Sequence, residues 1–178
     1  MIELNDLDTE SVQYAISEVN RSESSLTIRI HGNGGGDITA TRQFIDALES
    51  SSRRICLEFE GYAISSAAIL FYWFKLNPHT SIRLSLPKGR CVFVFHRPRF
   101  ICNSYVMFEE NLIGSRKAAL KEQTEYCDAL FDRIFPDVCR DTHEDPKTGV
   151  WLHETSMARK AYYAGYDVVQ TVFDANIT

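Results

Sequence analysis

The sequence predicts an α/β fold in which helices pack on a mixed or parallel sheet. Two successive units of strand, special turn and helix, at residues 26–48 and 54–74, carry that prediction. Two more strand-like runs and a final helix and strand follow them. A strand followed by a helix and then another strand returns the chain to the same end of a sheet, which favours parallel pairing. The 178 residues suffice for one domain with a full core. No stretch has the composition of a linker and none is of low complexity, so residues 1–178 are expected to form a single domain.

Residues 2–4 suit a short strand. Asp8 and Thr9 suit the cap of a helix with Val12, Ala15, Ile16 and Val19 on one face. Ser22 to Ser25 is a polar turn, and Leu26 to His31 alternates as a strand. After Gly32–Asp37, helical spacing resumes through Ile38, Thr41, Ile45 and Leu48. Ile55, Leu57 and Phe59 alternate in a second strand, and Ala67–Phe74 reads as a buried helix. Ser81–Leu86 and Cys91–His96 are strand-like, with Pro87–Arg90 a turn between them. Residues 104–135 read as a long helical region with Gly114 as a weak point, and residues 136–150 as a loop. A helix from Thr155 to Ala164 should end at Gly165, a good helix stop, before a strand from Val168 to Phe173.

Composition narrows the classes. Hydrophobic residues make up 44% and charged residues 24%, as in a globular protein. A net charge of −5 gives no support for nucleic-acid binding. The longest apolar run, Ala63–Phe74, is too short for a membrane span, and the acidic stretch Met1–Asp8 does not read as a secretory signal. The five cysteines are widely spaced with no Cys-x-x-Cys, so reduced thiols in a cytoplasmic protein are expected.

Three segments are candidates for chemistry. Gly34-Gly35-Gly36 follows a strand, and its N–H groups suit an anion-binding turn. It fits neither the dinucleotide fingerprint nor a Walker motif, and a plain flexible turn is the alternative. Ser65 lies at a strand-to-helix junction, beside the free N–H groups and positive dipole end of the helix. Such a place suits a nucleophile whose attack creates an oxyanion. The competing reading is that Ser65 or Ser66 merely caps the helix. The hydrolase elbow Gly-x-Ser-x-Gly is absent, because Ala63 and Ala67 flank the serine. His96 ends an apolar strand, where a general base would stand, with His31 a competitor at another strand end. His143, Glu144, Asp145 and His153 cluster in sequence but fit no metal-ligand spacing, so neither metal nor cofactor is assigned.

The order of these motifs resembles the proteolytic subunit of the Clp protease, and equally the shorter phage head-maturation proteases of that family. Gly35–Ala40 resembles the family's Gly-Gly turn, with Phe44–Leu48 in the helix behind it. Gly61-Tyr-Ala-Ile-Ser65 resembles the nucleophile motif. Leu86-Pro87 followed by Val94–Pro98 resembles the strand ending in the catalytic histidine. Ala158, Ala161, Gly165 and Asp167-Val-Val resemble the final helix and strand. The likeness covers most of residues 8–172. It implies the ClpP/crotonase superfold: repeated strand-strand-helix units, a protruding helical handle, and a C-terminal helix and strand. It also implies a serine endopeptidase acting on peptides or unfolded protein. Ser65 would be the nucleophile and His96 the base, with backbone N–H groups of Gly35 or Gly36 and of Ser66 as the oxyanion hole. A homo-oligomeric ring would be expected, with residues 104–135 in ring-to-ring contact.

The chain departs from that pattern in four places. Aligning Trp151-Leu152 with the family's aromatic-aliphatic pair puts Gly149 where the triad acid belongs. Asp145 is the candidate acid, with Glu144 and Glu154 as alternatives. The interval from Ser65 to His96 is longer than usual. Gly34 replaces a proline before Gly-Gly. The chain starts almost at its first helix, which does not favour an ATPase partner. Two other readings therefore stand beside the peptidase: a non-catalytic assembly or binding subunit of the same fold, and a crotonase-type acyl-CoA enzyme.

Overall fold

The computed structural model describes residues 1–21, 24–103, 105–141 and 158–177. They fall into two compact units, Met1–Phe95 with Val169–Thr178, and His96–Val168.

The first unit is built on strands β1 (Ile2–Leu4), β2 (Ser25–Asn33), β3 (Arg54–Ile64), β4 (Ile82–Ser85) and β5 (Arg90–Phe95), with helices α1 (Thr9–Val19), α2 (Ile38–Ser50) and α3 (Ser66–Leu76). The final strand, Val168–Phe173, lies beside β5, giving the order β1-β2-β3-β5-final strand, with β4 also on β3. β1 with β2, β2 with β3, and β3 with both β4 and β5 pair in parallel, as the alternation of strand and helix requires. β3 is long enough to use two partners. Ile55–Glu58 pair with β4, while Gly61–Ile64 pair with Cys91–Val94 of β5. The segment that carries the serine is thus strand as far as Ile64, beyond the stretch that alternation alone marks.

Both flanking helices start on aspartates. Asp8 accepts from the Ser11 N–H at 2.8 Å, and Asp37 accepts from the Ala40 N–H at 2.9 Å. α3 is apolar on nearly every side and is buried from Ser66 to Tyr72. Its Phe71 ring stacks on Phe93 of β5 at 4.2 Å and meets Phe59 of β3 edge-on at 5.1 Å. Each fully buried phenylalanine contributes about 1.5–3 kcal/mol. This aromatic cluster is the floor on which the β3–α3 junction rests.

The second unit differs from the sequence expectation. Residues 104–135 are not one helical region. Phe100–Cys102 (β6) and Tyr105–Met107 (β7) form an antiparallel hairpin, and helix α4 begins only at Gly114 and runs to Asp141. The aromatic and β-branched residues at 100–107 favour strands, and Asn103 takes the positive φ of 48° that a tight hairpin turn needs. α4 also continues into residues expected to be loop. Helical residues 158–163 follow, closed at Gly165 by the Tyr166 N–H donating to Ala161 O. Among the described residues no helix is long and apolar enough to cross a membrane.

Candidate active site

Ser65 joins β3 to α3 with φ 56° and ψ −120°. Among the described residues other than glycine, only it and Asn103 have a positive φ. Such a conformation costs about 1–3 kcal/mol and persists only where its surroundings enforce it. Here they do so from both sides. The Ser65 N–H donates to Val94 O of β5 at 2.8 Å, and the Ser65 carbonyl accepts from the Ile69 N–H at 3.0 Å. The backbone has the sharp strand-to-helix form of a nucleophile elbow, although alanines stand where that motif has glycines. Ser65 occupies the N-cap position, yet its side chain makes no capping bond. The capping alternative therefore fails for Ser65. Ser66 is fully buried and its hydroxyl has no hydrogen-bond partner, so it offers no rival nucleophile. Its N–H stands at the first position of α3, at the positive end of the helix dipole.

The glycine turn lies against this junction. A Cβ on Gly35 would stand 2.6 Å from Ile64 O, 2.8 Å from Ser65 Cβ and 3.3 Å from Ser66 N, and Gly35 has φ 91°. A Cβ on Gly36 would stand 2.2 Å from Leu7 O. Only residues without side chains let the turn fit between Leu7 and Ser65. Asn33, fully buried, ties the turn down: its amide donates to Leu4 O at 2.9 Å, and its Oδ1 accepts from the Gly35 N–H at 2.8 Å. The N–H of Gly35 is therefore committed to Asn33. Sequence reading passed over Asn33, although an asparagine two residues before a glycine N–H is the Asx-turn signal.

His96 opens the second unit. Its Nδ1 lies 3.0 Å from the carbonyl oxygen of Arg97. A carbonyl only accepts, so a hydrogen bond here requires the proton on Nδ1, which in the neutral ring leaves Nε2 as the basic nitrogen. Burial lowers the pKa of His96 and outweighs the bond to Arg97 O, which raises it; Arg99 lowers it further and Asp167 raises it. Arg99 and Asp167 pair at 3.2 Å. The Arg97 guanidinium is held by Asp128 of α4 through Nε–Oδ1 at 3.1 Å and Nη2–Oδ2 at 2.7 Å.

The competing residues have other partners. His31 faces Glu3 at 3.5 Å and is half exposed. His79 Nδ1 is 2.9 Å from the Ser81 hydroxyl in a loop. Burial pushes the Cys91 thiol up to about 12, which makes it inert at neutral pH. Asp145, Glu144, Glu154, His143 and His153 lie outside the described residues. Among the described residues no group of three or more His, Cys, Asp or Glu is arranged to hold a metal.

No protein-family model matches the chain, and no curated protein is significantly similar to it. Among solved structures it is similar to the ClpP protease catalytic domain of Plasmodium falciparum. That match has a TM-score of 0.50 and 15% identity, and it covers 94% of this chain and 75% of that one. At this identity the likeness concerns the fold: a mixed α/β architecture with a mostly parallel sheet.

Proposed function

We propose that the protein is a ClpP-like serine peptidase acting on peptides or unfolded protein. The observation that carries this reading is the strained backbone of Ser65, whose hydroxyl is not spent on capping although it sits at a helix start. A side chain held at a cost of about 1–3 kcal/mol calls for a use.

In the proposed reaction the Ser65 Oγ bonds to the scissile carbonyl carbon as its proton passes to His96 Nε2. The carbonyl π pair moves to oxygen. That oxyanion is met by the N–H groups of Ser66 and Gly36, since the Gly35 N–H is occupied by Asn33. Collapse breaks the C–N bond, and Nε2 returns the proton to the leaving amine. Water then cleaves the acyl-serine by the same route. Asp145, the candidate third member of the set, lies outside the described residues, and no step is routed through it.

The reading extends to residues 1–178 as one domain, to a homo-oligomeric ring and to a cytoplasmic location. The described cysteines Cys56, Cys91 and Cys102 are free thiols, in keeping with a reducing compartment.

The test is covalent labelling of the assembled protein with a fluorophosphonate at neutral pH. Ser65 should be the labelled residue, and Ser65→Ala and His96→Ala should abolish both labelling and peptide turnover. An unlabelled Ser65 removes the peptidase reading. It would favour a non-catalytic subunit of this fold, to which the committed Gly35 N–H lends support.

A further inference from the structure

A Ser-His hydrolase needs something on the far side of its imidazole to fix the tautomer and the ring angle, and a carboxylate is the usual choice. Beside the Nδ1 of His96 there is a backbone carbonyl, that of the next residue, at 3.0 Å. A peptide carbonyl can do this work only if it is itself immobile, and that of Arg97 is anchored through its own side chain. The guanidinium meets the Asp128 carboxylate in a two-bond fork, at 3.1 and 2.7 Å, both partners being mostly buried. Its face lies 5.6 Å from the Tyr163 ring centre, a cation–π contact. Tyr162, next to Tyr163, is buried and its ring is stacked at 3.7 Å on Phe131 of α4. The peptide following His96 is thus tied to α4 and to helical residues 158–163.

We propose that the Arg97 carbonyl is the group that holds the His96 ring, and that Asp128 is a positioning residue that fixes this carbonyl by clamping the Arg97 side chain. The proposal rests on the Ser65–His96 reading for its consequence in catalysis, but not for its geometry. The carbonyl sets the Nδ1–H tautomer and leaves Nε2 as the base. It gives the imidazolium only a dipole, where a carboxylate would give a full charge. Among the described residues, the charged groups that act on His96 are Arg99 and Asp167, a mutual ion pair whose effects on the ring oppose each other.

The test reads the tautomer of His96 by long-range ¹H–¹⁵N correlation in the full chain above its titration, beside peptide turnover. Neutral His96 should be the Nδ1–H form. It should remain so in Glu144→Gln, Asp145→Asn and Glu154→Gln. Asp128→Asn should yield a mixture of tautomers and lower kcat about 10- to 100-fold with KM little changed, the scale of a misplaced catalytic group. Arg97→Lys, which keeps the charge but not the fork, should behave the same way. Asp128→Glu should recover much of the loss. Should Asp128→Asn fail to fold, Arg97→Lys alone decides the matter. An Nε2–H tautomer in the unaltered protein overturns the proposal, as does a tautomer switch in any of the three carboxylate variants. An Nδ1–H tautomer in a protein whose Ser65 cannot be labelled would remove the peptidase reading and leave the Arg97 carbonyl as the ring's partner.

Discussion

Gly35 and Ser65 meet where a side chain on the glycine would have to be: its Cβ would stand 2.8 Å from Ser65 Cβ. The glycine turn after β2 and the serine turn after β3 are therefore one packed unit. Gly35→Ala must move one of them, and its φ of 91° adds about 1–3 kcal/mol of strain by itself. The expected outcome is a lower denaturation midpoint together with loss of Ser65 labelling. An alanine variant that labels at the original rate would show that the contact does not shape the site.

Asn33→Ala should be costly for its size. It leaves the Gly35 N–H and the Leu4 carbonyl without their buried partner, at about 1–3 kcal/mol for each unsatisfied group. Urea unfolding measures the loss. Asn33→Asp keeps the acceptor for Gly35 but sets an oxygen against Leu4 O, so it should be no better than alanine.

Ser65→Gly is expected to separate stability from activity. Relief of about 1–3 kcal/mol of strain outweighs the about 0.5–1 kcal/mol of extra chain entropy that a glycine brings. The variant should be more stable by about 1 kcal/mol and inactive. Ser65→Ala should be inactive without that gain. Equal stability of the two variants would mean that the Ser65 backbone is not under strain.

The pH dependence follows from the burial of His96. Its folded pKa lies below the imidazole value of 6.5. The unfolded chain therefore binds the proton first, and stability rises with pH across that window. The contribution is complete above pH 6.5 and is lost as pH falls through the folded pKa. The acid limb of kcat/KM should likewise fall below pH 6.5, with the neutral ring as the active base. Unfolding measured from pH 4.5 to 8 should show this slope in the unaltered protein and a weaker one in His96→Gln. A midpoint above 6.5 in the pH–rate profile would contradict the assignment.

Much of this was legible in the sequence because it is local. The alternation of Ile55, Leu57 and Phe59 and the apolar run after Ser66 mark β3 and α3 without any partner. Asp8 and Asp37 announce their helices by side-chain oxygens that reach only three residues onward. Those two runs also placed Ser65 at the junction of β3 and α3. The hairpin at residues 100–107 was missed because helical and strand propensities compete within a short apolar stretch. Its turn rests on a positive φ at Asn103 that nothing in the sequence demands.

What the tertiary structure decided is how the turns are held. Sequence could mark Ser65 as a cap or a nucleophile. The choice fell to its φ of 56° and to a side chain that makes no capping bond, in a turn whose N–H is held by Val94 O and against which Gly35 packs, both remote in sequence. Likewise, sequence sought the partner of His96 among carboxylates downstream. Those carboxylates lie outside the described residues; among the described ones the contact at its Nδ1 is the carbonyl next to it, on the residue whose side chain Asp128 of α4 holds. Periodicity and caps record forces that act within a few residues, whereas strain and clamping are imposed by elements brought together by the core.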